Sequence, residues 1–212
     1  MNEPIEVVKY KGIDINIYAD ENCESPNDNG NDNLFLVAFH RQFSVERKGF
    51  SQDLCGQLQW DKTRIKDDDE YMHDEIKAIN KKYHVFGLEA YIHSGVHLSL
   101  ASEGNYPDRQ WDVSTLGVVF VSRNEWHTKE KARQAAQSLL DEWNDILSGN
   151  VYGYDCEAGS CGGFYGYDHE KSGLLDHARE EIDCYIEQEN KKKCTKTKAY
   201  ITNSVPLLSR AQ

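Results

Sequence analysis

Thr128 and Gly149 bracket the stretch that most restricts how this chain can fold. Between them Ala132, Ala135, Ala136, Leu139, Leu140, Trp143, Ile146 and Leu147 recur on one face at the 3.6-residue period. Thr128 suits an N-cap, because its hydroxyl can accept a first-turn N–H. Gly149 suits the left-handed residue that closes a helix. The spacing predicts a helix over 129–148, and an apolar stripe of that width must be buried against a second layer. The chain supplies strands for that layer. Residues 34–43 (LFLVAFHRQF) and 116–122 (LGVVFVS) are short apolar runs of the kind that form buried strands, and 5–18 alternate as a strand or hairpin. In 88–100, Ile92, Val96, Leu98 and Leu100 share one parity, and Tyr91, His93, His97 and Ser99 the other. VYGY from Val151 opens a further strand. These elements interleave without a βαβ rhythm, so the expected fold is α+β, with a mainly antiparallel or mixed sheet flanked by two or three helices.

Two more helices are expected. Asp67, Asp68, Asp69 and Glu70 precede a helix-like stretch that closes on Lys77, Lys81 and Lys82, an arrangement that complements the helix dipole. About 173–189, Leu174, Leu175, Ala178, Ile182, Tyr185 and Ile186 form an apolar face. Opposite them Asp176, Glu180, Asp183 and Glu187 line up at i, i+4, i+7 and i+11. Residues 19–33, rich in Asn and Asp, read as a mobile loop.

Charge then narrows the partners. The formal net charge is −12, which disfavours direct nucleic-acid binding, since a phosphate backbone attracts a basic footprint. A basic protein groove is the complementary surface, although acidity also serves solubility alone. The sign reverses along the chain. Residues 146–190 hold ten carboxylates against Lys171 and Arg179, whereas 191–212 hold Lys191, Lys192, Lys193, Lys196, Lys198 and Arg210 and no acid. Such a reversal is the pattern of an intramolecular contact. The expected organisation is one acidic α+β domain over 1–190 and a basic C-terminal segment over 191–212. The N-terminus has neither a basic n-region nor an apolar h-region, and no run reaches the length of a membrane span. The expected setting is a cytoplasm, with six cysteines as free thiols.

Several motifs approach chemistry without completing it. Gly159-Ser160-Cys161-Gly162-Gly163 has the G-x-C-x-G spacing of a nucleophile elbow, with His169 as a candidate base. An elbow needs an apolar strand before it and an apolar helix after it; here CEAGS precedes and FYGYDHE follows. A glycine-rich turn with an ordinary thiol is the simpler reading. Cys156, Cys161, Cys184 and Cys194, with His169 or His177, offer zinc-ligand atoms, but the spacings fall outside zinc signatures. His40, His93 and His97 suggest a metal or acid–base cluster only if 88–100 is one regular strand; Ser94-Gly95 threatens that with a bulge. Tyr152, Tyr154, Phe164, Tyr165 and Tyr167 alternate with Gly153, Gly162, Gly163 and Gly166. That pattern reads as packing under tight turns, or as a protein-recognition patch. No phosphate-binding glycine loop or kinase signature is present. No cofactor is expected.

The elements Trp111-Asp112-Val113-Ser114, Gly117, Val121-Ser122, Trp143, Leu147-Ser148-Gly149, Val151-Tyr152-Gly153-Tyr154 and Gly163-Phe164-Tyr165-Gly166 resemble a group of proteins encoded by phages and other mobile elements of bacteria. The resemblance spans about a quarter of the chain and transfers no catalytic residue. It implies only a context, an accessory protein of a phage or mobile element acting in a bacterial cytoplasm. By analogy with accessory proteins of that gene type, the expected role is an anti-CRISPR or antirestriction inhibitor. The expected partner is a host defence protein with a basic nucleic-acid-binding groove. The expected contact residues are Asp67, Asp68, Asp69, Glu70, Asp176, Glu180, Asp183 and Glu187, mimicking a row of phosphates. The alternative is a cysteine- or metal-dependent hydrolase acting on nucleotides or nucleic acid. A third is an assembly accessory that self-associates through its Tyr and Trp surface.

Overall fold

The computed structural model describes residues 3–27, 32–39, 44–45, 77–93, 95–101, 104, 106 and 109–204. They form an α+β fold, divided into two compact units: residues 1–21 with 151–212, and residues 22–150. The strands divide the same way, between two sheets in which every pairing is antiparallel.

In the first unit, β1 (Glu6–Tyr10) and β2 (Ile13–Ala19) form the expected hairpin. Its two turn residues, Lys11 (φ 48°) and Gly12 (φ 88°), are both left-handed, the twist that a two-residue hairpin requires. In the second unit the sheet is built from β3 (Leu34–Phe39), β4 (Ser44–Val45), β5 (Tyr83–Ile92), β6 (Val96–Leu100) and β7 (Val113–Ser122), in the order β4-β3-β7-β5-β6. Residues 77–82 are helical and lead into β5, and α1 is the single turn Arg109–Asp112.

The 88–100 stretch is a hairpin rather than one strand. The chain reverses at 93–95, so Tyr91 faces His97 and Leu88 faces Leu100. Buried Leu88, Ala90, Leu98 and Leu100 join one core. Helix α2 (Lys129–Ser148) lays Ala132, Ala136, Leu139 and Leu140 on that core, which β3 and β7 complete with Leu36, Ala38, Leu116, Val119 and Val121. Leu116 has the wrong parity for this face in a regular strand. The register shift that follows Leu88↔Gly117 with Glu89↔Thr115 inserts it as an extra residue and turns it inward. On the opposite parity, Phe35 stacks on Phe120 at 5.2 Å, and Tyr83 meets both rings edge-on at 5.7 Å. Both caps of α2 form as the sequence predicts. Thr128 accepts the Lys131 N–H, and Gly149 takes φ 73° with its N–H on the Ile146 carbonyl.

Two asparagines extend strand ladders with side-chain amides. Asn27, buried in the Asn/Asp-rich segment, donates to the Leu36 carbonyl (2.8 Å) and accepts the Leu36 N–H (3.2 Å). Asn144 on α2 does the same at β6, accepting the Leu98 N–H (2.7 Å) and donating to its carbonyl (3.0 Å). Among the described residues β6 ends its sheet, so Asn144 satisfies backbone groups that an edge strand otherwise exposes.

His84 is buried, with its Nε2 3.1 Å from the Trp126 carbonyl. That contact selects the Nε2–H tautomer. Burial pushes its pKa down, and the Arg123 charge adds to this. The fold therefore favours the neutral ring. The unfolded chain takes up the proton first, near the ordinary imidazole value of ~6.5, so stability falls as pH drops below that value. The His84 ring resonance is expected to titrate with a midpoint below ~6.5, and His84→Gln is expected to flatten the decline in Tm between about pH 7.5 and 5.5. A midpoint at or above the ordinary value would contradict this.

Candidate functional site

The acidic row lies in the first unit, on α3 (Leu174–Ser204). That helix packs on a four-stranded sheet in the order β1-β2-β8-β9, completed by β8 (Val151–Cys156) and β9 (Gly159–Tyr165). Leu174, Leu175, Ala178 and Ile182 pack with Ile15, Ile17 and Tyr154, and Ile186 joins at the margin. Burying this face fixes the opposite one outward. Asp176, Glu180 and Glu187 are exposed and Asp183 is partly so. The four carboxylates span ~16 Å of helix at ~1.5 Å per residue.

They do not form a bare row of negative charge. Asp176 pairs with Arg179 (3.2 Å), which also holds Glu170. Glu187 pairs with Lys191 (3.7 Å). Asp183 takes Lys11 (2.6 Å) and the Tyr10 hydroxyl (3.3 Å), which braces the helix against the β1–β2 turn. This bond holds Lys11 above the ordinary lysine pKa. Glu180 makes no ion pair among the described residues. Exposed pairs of this kind are weak in water, so a partner's arginine or lysine can displace the resident cation at little cost. Asp67, Asp68, Asp69 and Glu70 lie outside the described residues.

α3 runs 15 residues beyond the expected end at 189 and continues into the basic segment as far as Ser204. The reversal of sign is resolved along the helix, by Lys191 on Glu187 and Lys192 on Glu189 (2.9 Å). Among the described residues no contact folds the basic segment back onto the acidic face.

The glycine–aromatic block is a hairpin, not a turn before a helix. Cys161 sits inside β9, opposite Tyr154, and its thiol lies 3.7 Å from the Gly162 carbonyl. The strand–turn–helix context of an elbow is therefore replaced by a β-ladder. The glycines serve close approach. A Cβ on Gly162 would stand 2.5 Å from Asp20 Oδ2, the oxygen that accepts the Gly163 N–H at 2.9 Å, and Gly163 takes φ 80°. Asp20 and Gly162, with Tyr18 and Gly153, line a shallow cleft of about 340 Å³ that includes Cys161.

Among the described residues no three His, Cys, Asp or Glu side chains are grouped so as to hold a metal ion. His93 and His97 are taken by different partners, Asp112 (3.3 Å) and the Tyr106 hydroxyl (3.0 Å). His40 lies outside the described residues. His169 packs edge-on against Tyr152 and approaches Glu6 at 3.6 Å. Of the block's aromatics, Tyr154 is buried and Tyr167 is exposed. Trp111, the most exposed tryptophan among the described residues, stands on α1 in the other unit.

One polar network escapes notice in the sequence. The Tyr154 hydroxyl donates to Glu181 Oε2 (2.8 Å) and lies 2.8 Å from His177 Nδ1. With its single proton committed to Glu181, it accepts from an Nδ1–H tautomer of His177. Burial, reinforced by Glu181, pushes the phenol pKa far up, so Tyr154 stays protonated and ties α3 to β8. The i, i+4 spacing of His177 and Glu181 was the available signal.

No protein-family model, curated protein or solved structure matches the chain.

Proposed function

We propose that this chain is a non-catalytic accessory protein of a bacterial mobile element. In this reading it inhibits a nucleic-acid-targeting defence enzyme by setting α3 into the enzyme's basic groove. The observation that carries the reading is the outer face of α3: four carboxylates held in line on a helix that is anchored by its apolar face and by the Asp183 brace. A rigid row spends little entropy on docking. Its exposed cations are exchangeable, and Glu180 offers a carboxylate without a resident cation among the described residues. The mobile-element resemblance supplies the biological setting. The hydrolase alternative draws no support from Cys161, which lies in a strand with no base positioned beside its thiol among the described residues.

The test is phage plating on strains that carry nuclease-based defence systems. Expressing the chain is expected to restore plaques on at least one of them. The variant Asp176→Asn/Glu180→Gln/Glu187→Gln, which leaves the Asp183 brace intact, is expected to lose that protection. With the purified target, it should associate roughly 10–10³-fold more slowly at low salt, the range that electrostatic steering supplies. Equal protection by wild type and variant would remove α3 as the working surface.

A further inference from the structure

The C-terminal half of α3 has no role in the reading above. From Lys191 to Tyr200 every residue is exposed, as are Ile201, Thr202 and Ser204. The last residue packed on the sheet is Ile186, and Lys198 lies ~18 Å further along the axis. A solvated helix of this length is marginal in water, and Thr195, Thr197, Ile201 and Thr202 are weak helix formers. What the segment offers is charge: Lys191, Lys192, Lys193, Lys196 and Lys198, with no acid beyond Glu189. At 100° per residue the lysines are distributed around the helix instead of along one stripe.

We infer that residues 191–204 form a nucleic-acid-binding arm that contacts phosphates on both walls of a duplex groove. Charge complementarity and geometry together favour this occupant. A groove surrounds an inserted helix, so lysines on several sides all find phosphates. A membrane surface needs a continuous apolar face, and Cys194, Ala199, Tyr200 and Ile201 do not make one. A second copy needs an apolar seam, whereas the face shared by both halves of α3 reads Asp176, Glu180, Asp183, Glu187, Lys191, Cys194 and Lys198. Along the helix Lys198 lies ~14 Å from Glu189, its last acid, which is beyond the ~10 Å Debye length at 0.1 M salt, so the carboxylates of α3 do not cancel its charge. Lys193, Lys196 and Lys198 make no ion pair among the described residues, so they are the cations with most to gain.

The inference is independent of the proposed inhibitor role and is tested without any defence enzyme. Fluorescence anisotropy of a labelled DNA duplex of arbitrary sequence is followed against the full chain. Three phosphate contacts predict a log–log salt slope near −2.7, an affinity loss of about fortyfold between ~50 and ~200 mM salt. Lys193→Gln/Lys196→Gln/Lys198→Gln is expected to abolish binding while circular dichroism shows the rest of the fold intact. No binding by the full chain at low salt would overturn the inference, as would undiminished binding by the variant. Salt-reversible dimerisation lost in the variant, without duplex binding, would assign the arm to a second copy and overturn it equally.

Discussion

Gly117→Ala is expected to collapse the sheet of residues 22–150. Gly117 sits in β7 between β3 and β5, paired with Ala38 on one side and Leu88 on the other. A Cβ there would stand 2.0 Å from the Val37 carbonyl oxygen and 2.9 Å from the Ala38 Cα. Both are backbone atoms of a neighbouring strand and cannot turn aside as a side chain does. Relief requires pushing β3 off β7, which breaks a ladder whose side chains on both faces are buried. The cost is expected to reach or exceed ~3 kcal/mol, the upper end of overpacking penalties, a large share of a typical domain's ~5–15 kcal/mol. Urea unfolding followed by tryptophan fluorescence measures it. A loss under ~1 kcal/mol would mean that the strands part more easily than this geometry allows.

Asn27→Leu is expected to cost nearly as much, by the opposite mechanism. It removes no packing volume but leaves the Leu36 N–H and carbonyl without the partners that Asn27 provides. Each buried orphan costs ~1–3 kcal/mol, so the pair predicts ~2–6 kcal/mol. Asn27→Asp separates the two bonds, since a carboxylate still accepts the N–H but cannot donate to the carbonyl. The corresponding substitution Asn144→Leu should cost less, because the Leu98 contacts are only partly buried. Equal losses at the two sites would show that burial does not govern the effect.

These two residues mark the boundary of what the sequence discloses. The helix over 129–148 was legible to the residue, because a cap, an apolar period and a terminal glycine agreed. The β1–β2 hairpin was legible only as a strand or a hairpin, because alternation alone does not place the Lys11-Gly12 turn. The end of α3 was misplaced because the apolar period stops at Ile186, yet a helix of lysines and threonines continues without burying anything. Gly117 and Asn27 gave no local signal. Their roles arise from partners distant in sequence, as does the β2–β8 pairing that draws residues 13–19 and 151–156 into one sheet. At the candidate site, the acidic face of α3 was visible from its spacing, and so were Arg179 and Lys191 three and four residues from their carboxylates. Lys11, 172 residues from Asp183, was not. The row therefore reads from sequence as more negative than it is in the fold.

The account's central claim is that α3 occupies a groove that otherwise holds nucleic acid. The most direct measurement is displacement: labelled DNA bound to the target enzyme, titrated with the purified chain carrying Lys193→Gln/Lys196→Gln/Lys198→Gln, so that the basic arm holds no DNA of its own. The account predicts competitive release of the DNA, weakened by added salt and lost in the Asp176→Asn/Glu180→Gln/Glu187→Gln variant. A stable ternary complex, with DNA retained while the chain is bound, would contradict it.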